Sequence, residues 1–529
     1  MVALTGPRLT AQESAGEDPA DIGAEDPRQW RSEQQALALS LDEALELALR
    51  NNLDLTVAER QTEIARLDAL GSWGAFDPVL SASGALVERE REGSSSLSGA
   101  NVLEEDNQEF TASLDWPIPT GADLSLSYSR SNDRTNNTFA TFDVSTTDIV
   151  TAMVTQPLLR GAWSRFATTN QRQAEVELQR QRAAEDQVRQ GLLLNVYNAY
   201  WDLVSAREQL EVRIVTYELG VEQLRQDERR LEVGAGTEVD VLQSETNVAQ
   251  SWEQLLQAGN TVLAAEDTLR TLLFVDSLAA GESGGVETSW EWPLVPTTEF
   301  PPIEGADVPT LDAQGDDPVL WRSSAATALN HRPEIAQARF DVDVAEVQLE
   351  RARSDRRPQL DLVVTATSVG FDADPSDALS EATGFDFPEY RGSLVFSLPL
   401  RNRTARFAER SARAAVRNAE LQYEIRELDI LTEVRAAVRD LRYSAIAALA
   451  AETSRELAER QLAAEQARQR NGLSTTFQVL EFQQTLAEAR SDERAARAAY
   501  AKAQAALEHA EGVLGDDQEP SEDGEQERP

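Results

Sequence analysis

The chain has 529 residues, with 92 Asp and Glu against 49 Lys and Arg and a net charge of −43, which argues against nucleic acid or an anionic membrane surface as its main partner. It has no cysteine and only two histidines, His331 and His509, so disulfides, thiolate metal sites, cysteine nucleophiles and a lipidated N-terminal cysteine are excluded. No Gly-x-Ser-x-Gly, Walker A or paired metal motif occurs, and the sequence reads as that of a non-enzyme with no cofactor and no metal.

Residues 1–36 are acidic and are expected to be disordered. They lack a charged segment followed by an apolar run, so they do not read as a signal peptide; the natural start is expected upstream of Met1 or trimmed. No run of about 18 apolar residues occurs anywhere, so no transmembrane helix is expected. Two amphipathic helices follow, over "SLDEALELALRNNLDLTVAERQTEIARLDA".

Four strands are then expected, at about 78–89, 109–118, 122–131 and 147–158. Their signal is alternation: Phe110, Ala112, Leu114 and Trp116 fall on one face and Thr111, Ser113 and Asp115 on the other. Leu124, Leu126 and Tyr128 alternate with Ser125, Ser127 and Ser129 in the same way. "IPTG" (Ile118 to Gly121) reads as a tight turn, and "REGSSSLSGAN" and "SNDRTNNTFA" as exposed loops, the latter spanning 132–145.

A helix from about 161 to 232 comes next, roughly 105 Å long at 1.5 Å per residue. Val196, Leu203, Leu210, Tyr217, Leu224 and Leu231 fall every seventh residue along it, an a/d seam for packing helix on helix. "VGAGTEVDVLQSET" then breaks the helix before another begins. Residues 275–320 are acidic and Pro-rich, with Trp290 and Trp292, and separate this half from the next.

The second half repeats the first. "ALNHRPEIAQARF" starts at Ala328, 280 residues after "ALRNNLDLTVAER" at Ala48. Pro399 of "LPLRNR" stands 242 after Pro157 of "QPLLRG", and Gly472 of "NGLSTTFQVLEFQQ" stands 238 after Gly234. The fall from 280 to 242 leaves 38 extra residues in the strand region of copy one. Copy two offers strands at about 359–370 and 390–400, then seams through Leu431, Val438 and Ala445 and through Val434, Leu441 and Ala448. The plan is therefore repeat 1 at 37–274, repeat 2 at 321–514 and an acidic tail, expected to be disordered, at 515–529.

With these residues laid out, the chain resembles the TolC-like outer-membrane efflux proteins. The resemblance rests on the duplicated plan, the two helix-pair segments, "RPEIAQARFDVDVAEVQLERARSDRRPQLDL", "QPLLRG" and the paired Gly turns, and covers about 39–514. It implies an α+β membrane protein with a duplicated fold, a long α-helical barrel and a transmembrane antiparallel β-barrel, formed as a homotrimer in the cell outer membrane. The implied function is a channel-tunnel to the exterior, working with a periplasmic adaptor (membrane fusion) protein and an inner-membrane pump in tripartite efflux or type I secretion. Outer-membrane lipid is the other implied partner. The Gly turns become the periplasmic tip where the adaptor docks: Val233, Gly234, Gly236 and Thr237 in copy one, Gly472, Leu473, Ser474 and Thr475 in copy two. Thr237 and Thr475 are placed to cap the returning helices.

Carried over by position, carboxylates that narrow the pore fall on Asp240 and Glu481, and Gln478 occupies a further such position. Ser474 and Gln469 stand where the resemblance would place a tying Arg and Tyr. The extra residues of copy one make six strands per chain. Three chains would then give roughly eighteen strands instead of the family's usual twelve or so, unless the extra hairpin rises above the membrane as a flap. The alternative of another class is a soluble periplasmic or cytoplasmic antiparallel coiled-coil scaffold.

Overall fold

The computed structural model describes residues 36–92, 100–273, 293–303, 318–471 and 473–515. The N-terminal segment to residue 35, residues 93–99 within the loop expected at "REGSSSLSGAN", most of the acidic linker with Trp290 and Trp292, Gly472 and the tail from 516 lie outside the described residues. Two compact units result, one from Met1–Ala58, Asp186–Arg332 and Leu428–Pro529, the other from Glu59–Glu185 and Pro333–Glu427.

In the first unit, strand β1 (Leu37–Leu39) leads into helix α1 (Leu41–Asn51). Ser40 and Glu43 close a capping box: the Ser40 amide donates to the Glu43 carboxylate at 2.8 Å, and the Glu43 amide to Ser40 Oγ at 3.3 Å. Ala44, Leu45 and Ala48 of α1 are fully buried. Asn52 Nδ2 donates to the carbonyl of Leu272 at 3.0 Å, while Asn52 Oδ1 accepts from the amides of Asp54 and Leu55 and so caps α2 (Leu53–Ser72). β1 pairs in parallel with β6 (Leu294–Pro296). The Tyr200 hydroxyl clasps the pair, donating to the Leu39 carbonyl at 3.1 Å and accepting from the Thr298 amide at 3.0 Å.

The long helix of copy one begins later than the pattern suggests. Gly161 and Trp163 both adopt φ of 72°, the left-handed region, and a single turn of helix, α3 (Ser164–Ala167), ends before α4 (Thr169–Glu232) starts. Its 64 residues make about 96 Å. The helix α5 (Glu238–Leu273) returns from it. Val196, Leu203 and Leu210 are buried as the seam requires, and Tyr217 packs on Trp252 at 5.3 Å. Leu231 is 40% exposed, however, because a strict seven-residue repeat drifts about 20° per heptad around a straight α-helix. By the last turns the buried positions are Gln223 and Asp227.

Copy two runs through α6 (Pro318–His331), α7 (Pro333–Asp355), the strand region, α9 (Arg403–Arg470) and α10 (Thr476–Glu511). Its hairpin packs on Ala458, Leu462, Val479, Leu486 and Ala489.

The second unit is built on one antiparallel sheet of six strands in the order β2-β3-β4-β5-β7-β8. These are β2 (Val79–Glu92), β3 (Val102–Pro117), β4 (Asp123–Thr135), β5 (Val144–Pro157), β7 (Gln359–Asp372) and β8 (Pro388–Ser397). The register makes continuous rows. Leu80, Leu114, Leu126, Ala152, Ala366 and Tyr390 lie side by side across all six strands. The neighbouring row, on the other face, is Ser81, Ser113, Ser127, Thr151, Thr367 and Glu389.

"IPTG" forms its turn, with the Gly121 amide donating to the Ile118 carbonyl at 2.8 Å and Gly121 at φ 86°. The loop expected over 132–145 is shorter, because β4 continues to Thr135. Asn107, Ser131 and Asp133 hydrogen-bond one another there, and Asn136 bridges to the Glu104 amide and the Val102 carbonyl. Between β7 and β8 lies a helix that the sequence pattern does not announce, α8 (Pro375–Gly384), started by an Asp374 cap with Pro375 in its first turn. It buries Ala378 and Ala382.

Candidate functional site at the two helical turns

The first turn is a Schellman motif. The Ala235 amide donates to the Arg230 carbonyl at 2.8 Å and the Gly234 amide to the Leu231 carbonyl at 3.0 Å, with Gly234 at φ 73°. Gly236 is small for a different reason: a Cβ there would lie 3.1 Å from the Leu231 amide nitrogen and 3.2 Å from Arg230 Cβ. Thr237 then caps α5 in a box with Asp240. Its amide and hydroxyl donate to the Asp240 carboxylate at 3.0 and 2.7 Å, and the Asp240 amide donates to Thr237 Oγ1 at 3.3 Å.

The second turn follows the same plan at equivalent positions. The Leu473 amide donates to the Arg468 carbonyl at 3.0 Å, as Ala235 does to Arg230. Thr475 caps α10, accepting from the Gln478 amide at 3.4 Å. Gly472 lies outside the described residues. Val233 and Leu473 are 77% and 78% exposed, so each turn presents an apolar side chain to solvent.

Beneath the turns the structure adds a pair of buried carboxylates that the sequence pattern does not single out. Asp227 accepts from Gln223 Nε2 at 3.0 Å, from Ser244 Oγ at 2.8 Å and from Thr476 Oγ1 of the other hairpin at 3.3 Å. Glu465, at the matching place in copy two, accepts from the Ser474 hydroxyl and pairs with Arg468 at 3.3 Å. Thus Ser474 serves its own hairpin, while Gln469 Nε2 reaches Thr476 Oγ1 at 3.5 Å. The signal that could have found Asp227 is a polar residue on the buried face of a helix, flanked at one turn's spacing by Gln223.

The predicted carboxylates stand apart in character. Asp240 is half-buried and engaged by Thr237, whereas Glu481 is exposed. Glu481 lines a groove of about 420 Å³ together with Val239, Leu242, Phe477 and Leu480, between the first turns of α5 and α10. Val239, Leu242 and Phe477 are all exposed. Among the described residues no group of His, Asp and Glu is arranged to hold a metal ion, and no helix is long and apolar enough to cross a membrane.

Two long helical hairpins ending in like turns, on the same chain as a sheet with one apolar and one hydroxyl-bearing face, give the plan of an outer membrane efflux protein. The chain belongs to the outer membrane efflux protein family, which matches it over residues 121–273 and 325–513. Its fold is similar to that of the outer-membrane channel OprN, with a TM-score of 0.63 at 16% identity over 96% of this chain and 99% of OprN. The CmeC outer membrane channel of Campylobacter jejuni gives 0.60 at 17% identity, over 96% and 94% of the two chains. The proteases secretion protein PrtF of Dickeya chrysanthemi is 22% identical over 326 residues, 61% of this chain and 62% of PrtF, so the match spans less than two thirds of that relative.

Proposed function

We propose that three copies of this chain form a continuous export tunnel across the outer membrane and into the periplasm. The observation that carries the reading is the six-stranded sheet, with β2 and β8 at its edges and an apolar row beside a hydroxyl row. A sheet that crosses lipid must close on itself so that every backbone group is paired, and a second and third copy supply the missing edge partners. The apolar rows then face lipid and the Ser/Thr rows face water. The two repeats, 37–274 and 321–514, each contribute one hairpin to a periplasmic helical barrel, and their turns form its tip.

A periplasmic adaptor protein docks at Val233, Gly234, Gly236, Thr237, Gly472, Leu473, Ser474 and Thr475. The exposed apolar residues of the adjoining groove support this reading. An inner-membrane pump then delivers cargo through the adaptor, for efflux or for type I secretion. Similarity to PrtF favours the secretion arm. A soluble coiled-coil scaffold would leave Leu80 and Leu394, 76% and 66% exposed, facing water.

The test is substitution at the turns. Gly234→Leu puts a branched side chain where φ is left-handed and should cost about 1–2 kcal/mol locally. With Gly472→Leu it should abolish export in cells while trimers remain in the outer membrane. Full export by both single variants would remove the turns from adaptor docking.

A further inference from the structure

We propose that the β3–β4 hairpin is part of the channel wall and widens the outer pore, so that the outer section of the tunnel has room for a folded polypeptide segment such as a helical hairpin. This rests on the channel reading above. The hairpin is hydrogen-bonded on both sides along its length. Thirteen register pairs join β3 to β4, running from Glu105↔Thr135 to Pro117↔Asp123, while β2 flanks one side and β5 the other. A flap standing clear of the wall would be paired on one side at most, and β2 would then meet β5 directly.

The faces agree with the pairing. Trp116, Leu124, Val154 and Val364 form one row, and Ala82, Ala112, Tyr128 and Val150 another, so the hairpin's apolar side continues the apolar side of β2, β5 and β7. Trp116 and Leu126 are 44% and 47% exposed in the single chain, as lipid-facing residues should be, whereas further along the same face the row of Phe110, Arg130, Asp148 and Gly370 carries a buried ion pair beside α8. The opposite side carries Ser113, Ser125, Ser127, Ser129 and Ser131, with Asn107, Glu109, Thr111 and Asp115 of β3 beside them. These side chains are too short to plug a lumen, so the two strands add circumference without filling the space they enclose.

The geometric consequence is large. With strands about 4.8 Å apart and tilted about 40°, eighteen strands give a backbone diameter of roughly 36 Å and twelve give roughly 24 Å. Side chains lining the wall take roughly 5 Å from each side, leaving about 26 Å or about 14 Å. A single helix is about 10–12 Å across, and a packed pair of helices about 20 Å. The wider pore passes a helical hairpin; the narrower one passes an extended chain, a lone helix or a small molecule. A hydroxyl lining keeps its water, and a passing polypeptide finds no apolar surface to adhere to.

The experiment is polymer exclusion in planar bilayers, with graded polyethylene glycols added on the outer side. The full chain is compared with a deletion of Val102–Thr135, which joins β2 to β5 through residues 93–101 and 136–143. The full chain should admit polymers of roughly 1.5- to 2-fold greater hydrodynamic diameter than the deletion variant. Equal cut-offs would overturn the widening. A full chain that forms no channels at all would overturn the channel reading itself.

Should the deletion variant fail to assemble, the chain's lack of cysteine allows a second measurement on intact cells. Ser127→Cys should react with a membrane-impermeant maleimide through the water-filled pore, and Leu126→Cys should react only with a lipid-soluble one. Reaction of both with the impermeant reagent identifies a flap and sinks the proposal.

Discussion

Glu350 on α7 meets two arginines, Arg165 of α3 and Arg172 of α4, the latter at 2.9 Å. The hydrogen bonds from Arg165, set against a smaller opposing effect of burial, hold the Glu350 carboxyl at about 2 against an ordinary value of 4.5. A depressed folded-state value means that its contribution to stability is complete above about pH 4.5 and is lost as pH falls towards 2. Glu350→Gln should therefore lower the melting temperature near neutral pH, by about 1–3 kcal/mol of stability, and the gap to the parent should close between pH 4.5 and 2. A gap that stays constant on acidification would show that the charge of Glu350 contributes nothing.

Asp240 and Glu481 stand near the first and second helical turns. The Asp240 carboxylate caps its own helix through Thr237, and only what charge it still presents to solvent can act on ions. A ring of like charges in a constriction favours cations. Asp240→Asn with Glu481→Gln preserves hydrogen-bond acceptors and removes both charges, and should cut cation preference in bilayer recordings on the order of twofold. An unchanged reversal potential would leave Asp240 as a cap and Glu481 as a solvated groove residue.

Among the elements, α8 is the one whose close seat on the sheet requires a glycine beneath it. A Cβ at Gly370 would lie 1.9 Å from the Ala378 carbonyl oxygen and 2.8 Å from the Ala382 amide nitrogen, so α8 sits directly on the backbone of β7. Arg130, paired with fully buried Asp148 at 2.8 Å, also donates to the Pro375 carbonyl at 3.1 Å and ties the helix start to the sheet. Gly370→Val should lift α8 at a cost of about 1–3 kcal/mol and expose residues 375–384 to proteolysis. Cleavage no faster than in the parent would mean that α8 is held by something else.

The same element marks where sequence reading stops. The six strands were legible because alternation such as Leu124, Leu126 and Tyr128 against serines makes one apolar face on a strand and none on a helix. The Gly turns were legible because they recur at a fixed offset. Helix α8 has only ten residues, and its start signal, Asp374 before Pro375, serves a turn equally well. Its reason for being helical is the sheet beneath it. Asp227 was hidden likewise: a seam of Leu224 and Leu231 implies an apolar interface to the end, and only the drift of a straight helix turns Gln223 and Asp227 inward.

For the whole molecule, the channel reading turns on the open edges of one sheet. Two edge strands, β2 of fourteen residues and β8 of ten, leave backbone groups that must be paired if the apolar rows are to sit in lipid. Closure by three copies, as proposed, would satisfy that condition and bring six hairpins to one end. Native mass spectrometry of the protein extracted from purified outer membranes tests this most directly. The account predicts a species of three 58.2 kDa chains. A single chain, or recovery of the protein only from the soluble fraction, would contradict it.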